Sequence, residues 1–319
     1  MEIFTDFPNA VGVDVTHRCL LQCPRCLRVR QPELIKAGKD ITIDEFTKLC
    51  KHFESVTLCG QISDSIYHPK FFDLLDVAKE SKVKLCISTN GSGKKQKFWD
   101  TIWNDYAPLN WTFALDGLPK DSHKYRINQN GEAVWEIMKQ GAAAGHHITW
   151  QYIIFKYNEN DIATAMKMAK EHGMRFSLLR SNRWNGPDGE EDIYKPTKET
   201  HLLPIDDPNE LATDEEFFPK CVNVNRKKSL TYTNEGFMLP CCWTDRLKDF
   251  EHLKQDHLKV SNVEKIEDIL MSDEWQTFYQ NILEKNSNVS NMCRMKCRSG
   301  KKNKTFISFD SGRVDVFEG

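Results

Sequence analysis

The sequence predicts an α/β fold, a partial (β/α)6 TIM-type barrel followed by a small domain. Segments rich in β-branched and aromatic residues alternate with amphipathic helical segments six times before residue 180. Polar residues of chemical interest repeatedly follow the predicted strands, as at the carboxyl edge of a parallel sheet. Six units fall short of a closed eight-stranded barrel, so we expect an open parallel sheet.

The individual elements follow from periodicity and end signals. Val11 opens the first strand, and Thr42 with Glu45 forms a capping box at the start of the first long helix. Pro69 favours the start of the next helix. The remaining strands are predicted at 55–59, 83–89, 111–115, 148–155 and 175–179, and the remaining helices at 94–105, 132–144 and 161–172.

The alternation stops after residue 180. A turn-rich, acidic and proline-punctuated stretch predicts a linker over 185–220 that is also a candidate lid, between a barrel domain over 1–184 and a second domain over 221–319. In the second domain we expect a hairpin of strands 229–233 and 237–239, one helix spanning Ile266 to Ile282, and a strand at 305–309.

Composition bounds the class of protein. The chain has 319 residues, a formal charge of −2 and eleven cysteines. The first residues lack the apolar core of a signal peptide, and no apolar run reaches the length of a membrane span. We therefore expect a cytoplasmic protein whose clustered cysteines are metal ligands rather than disulfides. Nothing in the charge indicates a nucleic-acid or membrane partner.

The loop after the first strand carries Cys19, Cys23 and Cys26 at Cx3Cx2C spacing. Three thiolates in a compact loop suit a [4Fe–4S] cubane whose fourth iron has no protein ligand. An open iron can be chelated by a small molecule with an amine and a carboxylate. The alternative is a structural zinc site, which requires four ligands and would recruit His17.

This loop resembles the signature of the radical S-adenosylmethionine (SAM) enzymes, in its spacing and in its place after the first strand. In that family the three cysteines hold a [4Fe–4S] cluster and SAM binds the fourth iron. An electron from the cluster cleaves SAM to methionine and a 5′-deoxyadenosyl radical. Arg25 stands where the family often has an aromatic residue packed near the adenine.

Further segments resemble SAM-binding motifs of the same family. The stretch GQISDSIYHP, from Gly60, resembles the loop after the second strand, with Ser63 and Asp64 on motif positions. The resemblance implies that this loop accepts hydrogen bonds from the SAM ammonium group. The alternative is a plain turn between strand and helix. We expect His68, before Pro69, to contribute to the helix entry rather than to act as a ligand.

Two later strand ends add candidates. Ser88 and Asn90 belong to a turn that resembles the TNG motif after the third strand. Asp116 and Arg126 fit the pattern after the fourth strand, although Ala114 stands where a SAM-binding serine is usual. By resemblance, Arg126 would hold the SAM carboxylate, whereas the alternative is a solvated arginine at a helix start.

A second cysteine set comes late in the chain. It resembles the twitch domain, the shortened form of the SPASM domain, which holds one auxiliary iron–sulfur cluster. The resemblance implies Cys221, Cys241, Cys293 and Cys297 as ligands, with Cys242 as a neighbour that can substitute. A zinc ribbon is the rival, because four thiolates suit both metals. The pattern leaves the cluster's nuclearity open, with [4Fe–4S] favoured.

The resemblance implies a radical SAM enzyme that abstracts hydrogen from a peptide or protein and oxidises it with help from the auxiliary cluster. No general acid or base is evident. Oxidation of a small sugar- or nucleotide-like molecule is the alternative, and a zinc-binding interaction protein is the non-enzymatic one. The electron donor would be a flavodoxin or ferredoxin, and short basic runs at 226–228 and 301–304 are candidate docking patches.

Overall fold

The computed structural model describes residues 3–33, 35, 38–181, 192–202, 211–222, 229–245 and 247–298, and the backbone of 305–308 and 315–318. Both basic runs proposed for docking lie outside these residues. The ten strands are Ala10–Val13 (β1), Ser55–Leu58 (β2), Lys84–Thr89 (β3), Asn110–Ala114 (β4), His147–Ile153 (β5), Arg175–Leu179 (β6), Leu230–Tyr232 (β7), Met238–Leu239 (β8), Thr305–Ser308 (β9) and Asp315–Glu318 (β10).

Helices alternate with the first six strands, as predicted, and three more follow the hairpin. They are Leu27–Arg30 (α1), Ile43–His52 (α2), Phe71–Glu80 (α3), Gln96–Asp105 (α4), Gly131–Ala143 (α5), Ile162–Glu171 (α6), Ile266–Leu270 (α7), Asp273–Glu284 (α8) and Asn291–Lys296 (α9). No helix in the described ranges combines the length and apolarity needed to cross a bilayer.

The chain forms two compact units. The first unit comprises Met1–Arg18, Lys36–Leu85 and Asp206–Lys301. The second comprises Cys19–Ile35, Cys86–Ile205 and Lys302–Gly319. The boundary predicted after residue 184 falls outside the described residues, so the predicted division into domains stays a prediction.

The first unit contains a sheet of order β2-β1-β7-β8. Strand β1 is parallel to both β2 and β7, and β7 and β8 form the predicted antiparallel hairpin. Val11, Val13 and Leu58 are fully buried, as β-branched and aliphatic side chains of a sheet covered on both faces should be. The predicted capping box is present at α2, where the Thr42 hydroxyl accepts a hydrogen bond from the Glu45 backbone N–H.

One predicted helix of this unit is wrong in extent. The expected single helix from Ile266 to Ile282 is two helices, α7 and α8, separated at Ser272. The backbone of Ser272 is extended, and its hydroxyl accepts a hydrogen bond from Trp275 N–H at 3.4 Å. A serine N-cap therefore restarts the helix within a continuous apolar pattern.

The second unit contains a sheet of order β3-β4-β5-β6-β9-β10. Strands β3 to β6 are mutually parallel, while β9 is antiparallel to β6 and β10. Its core is aromatic: Trp99 packs against Trp103 and Trp111 at centroid distances of 5.5 and 5.7 Å. The architecture is an α/β fold whose six alternating strands are parallel within each unit, which is consistent with a partial TIM barrel.

Candidate functional site

The cysteine loop lies in the second unit, where backbone and side-chain hydrogen bonds fix its shape. The Cys26 N–H donates to the Cys23 carbonyl at 3.0 Å, so the second and third cysteines form one tight turn that ends at α1. Asn128 donates from its amide to the Leu20 carbonyl at 3.3 Å. The three thiols are thus held on a short, braced segment.

Asn90, predicted as a cofactor contact, reaches the cysteine loop directly. Its Nδ2 lies 3.6 Å from Cys19 Sγ, a hydrogen-bonding distance for sulfur. Its backbone carbonyl accepts a hydrogen bond from Gln129 Nε2 at 2.7 Å, and the same nitrogen donates to the Ala114 carbonyl at 3.1 Å. Ser88, two residues earlier, pairs with Thr112 of β4 and is half-buried.

Gln129 is a site residue that sequence reasoning missed. It is 4 % exposed and joins the ends of β3 and β4 through the two carbonyls it binds. Its Oε1 in turn accepts from the Ser122 hydroxyl. No motif marks this glutamine, because its role depends on two strand ends that are distant in sequence.

Arg25 forms an ion pair with Asp192, a residue that is distant in the sequence. Its Nε and Nη2 lie 2.8 and 2.7 Å from the same Asp192 carboxylate oxygen, and the Asp192 side chain is 1 % exposed. The other Asp192 oxygen accepts from Tyr194 N–H at 2.9 Å. An ion pair therefore occupies the position where the resembled family often has an aromatic ring.

The predicted contacts Asp116 and Arg126 form a buried ion pair. Arg126 Nε lies 2.8 Å from Asp116 Oδ2, although the N–H direction does not make this a hydrogen bond. Asp116 Oδ1 accepts from Ile153 N–H at 2.8 Å, and the Tyr157 hydroxyl donates to the Asp116 carbonyl at 2.7 Å. The solvated-arginine alternative is therefore wrong, since the Arg126 side chain is only 12 % exposed.

The pKa values of this region reflect burial and neighbouring charge. Burial raises the pKa of Cys23 to about 12; Arg126 opposes the shift, whereas Cys26, Asp116 and Cys19 add to it. Burial likewise raises the pKa of Asp116, and Arg126 again opposes the shift. The Cys23 thiol thus lies in an environment set by burial, by the Asp116–Arg126 pair and by the other two cysteines of the loop.

An aromatic cluster packs against Cys23. Tyr125 and Phe155 stack with centroids 4.1 Å apart, and Tyr157 stacks on Phe155 at 5.8 Å. Tyr194 meets Tyr125 edge-on at 5.3 Å. The arrangement gives the cysteine loop an apolar side, formed by the segments that follow β4 and β5 and by the segment that contains Asp192.

The first unit holds the other predicted SAM contacts. A Cβ on Gly60 would lie 1.9 Å from the Ser63 carbonyl oxygen, so the loop closes on itself only with glycine there. The Ser63 hydroxyl donates to Asp14, a buried carboxylate that sequence reasoning did not single out. Asp64 is 3 % exposed and caps a short helical turn, accepting from Ile66 N–H at 3.3 Å.

The histidines near these loops have structural partners. His68 Nε2 lies 2.9 Å from the Ile41 carbonyl, and its Nδ1 accepts from Lys70 N–H at 3.1 Å, which confirms its role in helix entry. His17, the fourth ligand of the zinc alternative, faces Asp40 at 3.8 Å. Across the described residues, no group of three or more His, Cys, Asp or Glu is arranged to hold a single metal ion.

That observation applies to a single metal ion, whose ligand atoms must all converge on one point. A cubane instead spreads its irons, so its thiolate ligands stand apart around it. No disulfide links any of the eleven cysteines, all of which lie in described segments. The chemistry of three neighbouring thiols on a short loop therefore fits an iron–sulfur cluster better than a mononuclear zinc ion.

The second cysteine set meets at one pocket in the first unit. Cys221, Cys241, Cys293 and Cys297 all line it. Its remaining walls are mostly apolar and include Pro219, Pro240, Trp243, Phe278, Ile282 and Met292. Cys221 and Cys297 are buried, at 7 and 6 % exposure. Four thiols around one apolar pocket fit a fully protein-ligated cluster.

Cys242 does not line this pocket and is exposed. The carbonyl of the neighbouring Cys241 accepts hydrogen bonds from the Thr244 hydroxyl at 2.6 Å and from the Thr244 N–H at 3.1 Å. Between the two adjacent cysteines, the geometry therefore favours Cys241 as the ligand.

Comparison with solved structures identifies related folds. SuiB of Streptococcus suis in complex with its precursor peptide SuiA matches with a TM-score of 0.62 and 15 % identity, over 93 % of this chain and 72 % of SuiB. SuiB bound to S-adenosylmethionine matches with the same score at 14 % identity, over 93 % and 71 %. No protein-family model and no curated protein matches the sequence.

A second solved protein shares the fold. The protein anSMEcpe, with bound AdoMet and the Kp18Cys peptide, matches with a TM-score of 0.54 and 10 % identity, over 96 % of this chain and 92 % of that chain. SuiB has been solved with S-adenosylmethionine bound, and anSMEcpe with AdoMet bound. The chain shares the fold of these SAM-binding proteins, in agreement with the resemblance first drawn from the cysteine loop.

Proposed function

We propose that this chain is a radical SAM enzyme that modifies a peptide or protein oxidatively. The observation that carries the proposal is the braced loop of Cys19, Cys23 and Cys26, which Asn90 contacts at Cys19, together with the buried pair Asp116–Arg126. These three cysteines would hold a [4Fe–4S] cluster, which would supply an open iron for SAM and the electron for its reductive cleavage.

The chain's own residues would bind and orient the cofactor. Asn90 donates to Cys19 and so sets the position of a ligand sulfur. Arg126, held by Asp116, presents a fixed positive charge suited to the SAM carboxylate. By resemblance alone, the loop of Gly60, Ser63 and Asp64 stays a candidate acceptor for the SAM ammonium.

The substrate class rests on the structural neighbours. SuiB has been solved with its precursor peptide and anSMEcpe with peptides, which favours a peptide here. Oxidation of a small sugar- or nucleotide-like molecule is the second candidate.

The auxiliary cluster would be held by Cys221, Cys241, Cys293 and Cys297. A fully ligated cluster in an apolar pocket suits electron transfer, so the net reaction would be an oxidation of the substrate. A flavodoxin or ferredoxin would supply the electron for SAM cleavage.

The first test is anaerobic reconstitution with iron and sulfide, followed by reduction with dithionite and SAM and an assay for 5′-deoxyadenosine. We compare the wild type with a Cys19/Cys23/Cys26 triple alanine variant and with Cys50→Ala. Cys50 is a buried cysteine of α2 that belongs to neither set, so it controls for loss of a thiol.

The expected result is deoxyadenosine in the wild type and in Cys50→Ala, and none in the triple variant, which should retain about half of the iron. A colourless protein that takes up zinc and forms no deoxyadenosine would refute the proposal and favour the zinc-binding interaction protein.

A further inference from the structure

The hydroxyl of Tyr279 is a buried polar group on the helix that borders the second cysteine set. Tyr279 lies in the middle of α8 and is fully buried, and within the described part of the chain its hydroxyl has no hydrogen-bond partner. A buried hydroxyl without a partner costs folding free energy, so such a group requires an explanation.

The ring of Tyr279 is fixed on its faces and edges. Phe4 stacks on it with centroids 4.3 Å apart, and Phe7 meets it edge-on at 5.4 Å. Phe4 is itself held by Gln276, which accepts from its N–H at 2.7 Å and donates to its carbonyl at 2.9 Å. The hydroxyl is therefore presented at a defined place.

Two other buried tyrosines, Tyr152 and Tyr232, have acceptors for their hydroxyl groups. The Tyr152 hydroxyl donates to the Asn158 carbonyl at 2.7 Å, and that of Tyr232 lies 3.3 Å from a Glu45 carboxylate oxygen. Tyr279 differs from them in its neighbours rather than in its burial.

Beyond its aromatic contacts, Tyr279 lies on a helix that borders the four-cysteine pocket. Helix α8 packs against the turn Lys220–Val222, which carries Cys221, and its residues Phe278 and Ile282 line the four-cysteine pocket. Burial raises the pKa of Tyr279, and the charges of Cys221 and Cys241 add to the shift. Tyr279 thus lies on the helix that forms part of the pocket wall, one residue from Phe278 and three from Ile282.

We propose that Tyr279 donates a hydrogen bond to the Cys221 or Cys241 thiolate of the auxiliary cluster and thereby raises the cluster's reduction potential. The inference rests on the proposed function, because it requires a cluster in this pocket. Hydrogen bonds to ligand sulfurs stabilise the extra negative charge of the reduced cluster. Tyr279 is thus a tuning residue rather than a catalytic one.

The experiment is a redox titration of the reconstituted full-length protein, followed by electron paramagnetic resonance, for wild type, Tyr279→Phe and Tyr152→Phe. We expect Tyr279→Phe to lower the equilibrium constant for reduction of the second cluster about two- to tenfold, the effect of one hydrogen bond. The first cluster should be unchanged, and Tyr152→Phe should change neither.

Pulsed electron paramagnetic resonance, after exchange of the protein into D2O, gives an independent readout of the proposed hydrogen bond. A hydroxyl proton near the second cluster should appear as an exchangeable coupling in the wild type and disappear in Tyr279→Phe. A potential and coupling unchanged in Tyr279→Phe would overturn the inference, and so would equal shifts in both variants, since those would report a general change in packing.

Iron and zinc counts taken before the titration separate this inference from the proposed function. A wild type that binds iron for one cluster only, or zinc in the second site, overturns the auxiliary cluster and the inference with it. Two clusters with no effect of Tyr279→Phe overturn the inference alone.

Discussion

The two cysteine regions differ in what surrounds their thiols. The loop of Cys19, Cys23 and Cys26 has polar neighbours, Asn90 and the ion pair Asp116–Arg126, and all three cysteines are half-buried. The second set lines a pocket whose other walls are mainly proline, aromatic and aliphatic side chains, and two of its four cysteines are buried.

The difference indicates different tasks. Polar groups beside half-buried thiols can bind the charged ends of a small molecule, as a SAM site requires. An apolar wall excludes water and offers a ligand few hydrogen bonds, which suits a cluster that exchanges electrons. Under the proposed function, the same ligand atom would serve binding in one region and electron transfer in the other.

Replacement of Phe278 by alanine should produce the largest change, because it removes part of the apolar wall that distinguishes the second cysteine region from the first. Phe278 is 6 % exposed and forms part of the apolar wall, so its loss leaves a cavity. We expect the free energy of unfolding to fall by about 3–5 kcal/mol, measured by urea unfolding. Leu283→Ala, a 53 % exposed position of the same helix, is the control and should change it by less than about 0.5 kcal/mol.

A small effect of Phe278→Ala would mean that the second pocket is loosely packed. The two regions would then differ less in rigidity than their walls indicate.

Alkylation of the metal-free protein tests how accessible the first loop is. Cys23 has a pKa raised to about 12, so thiolate is scarce below that pH and its reaction with iodoacetamide at pH 8 should be slow. We expect Cys23 to react at least about a hundredfold more slowly than the exposed Cys242, and to accelerate as the pH rises toward 12.

Peptide mass spectrometry over time gives the two rates, and unfolding in urea should make them similar. Equal rates in the folded protein would show that the centre of the loop is as open as the surface.

Substitution of Asn90 by alanine should have the smallest effect. The hydrogen bond to Cys19 contributes about 1 kcal/mol, so its loss should lower the potential of the first cluster by about 40 mV while the second stays unchanged. Asn130→Ala is the control, because Asn130 caps α5 and touches no cysteine loop. A rise in potential, or a shift in both clusters, would contradict a local donor at Cys19.

Local patterns in the sequence are sufficient to predict much of the fold. The alternation of strands and helices through β6, the capping box at Thr42 and the hairpin of β7 and β8 all depend on residues within a few positions of each other. The break at Ser272 was missed because the apolar pattern continues across it and outweighs a single capping residue.

The candidate site is predictable in the same local sense. The spacing of Cys19, Cys23 and Cys26 identifies the loop, but nothing near Arg25 identifies Asp192 as its partner. Asp14 and Gln129 were likewise missed, because each acts through a residue brought near by the fold. Contacts between polar side chains that are far apart in the sequence leave no periodic pattern in it, so they cannot be predicted from local spacing.

The pair Arg25–Asp192 also has a consequence for synthesis of the chain. The two residues are 167 positions apart. At translation rates of about 5–20 residues per second, the cysteine loop emerges roughly 10–30 s before its partner acid exists. During that interval the three thiols are present without the Arg25–Asp192 ion pair. Under the proposed function, we therefore expect stable cluster insertion to follow translation of Asp192, when this ion pair can form.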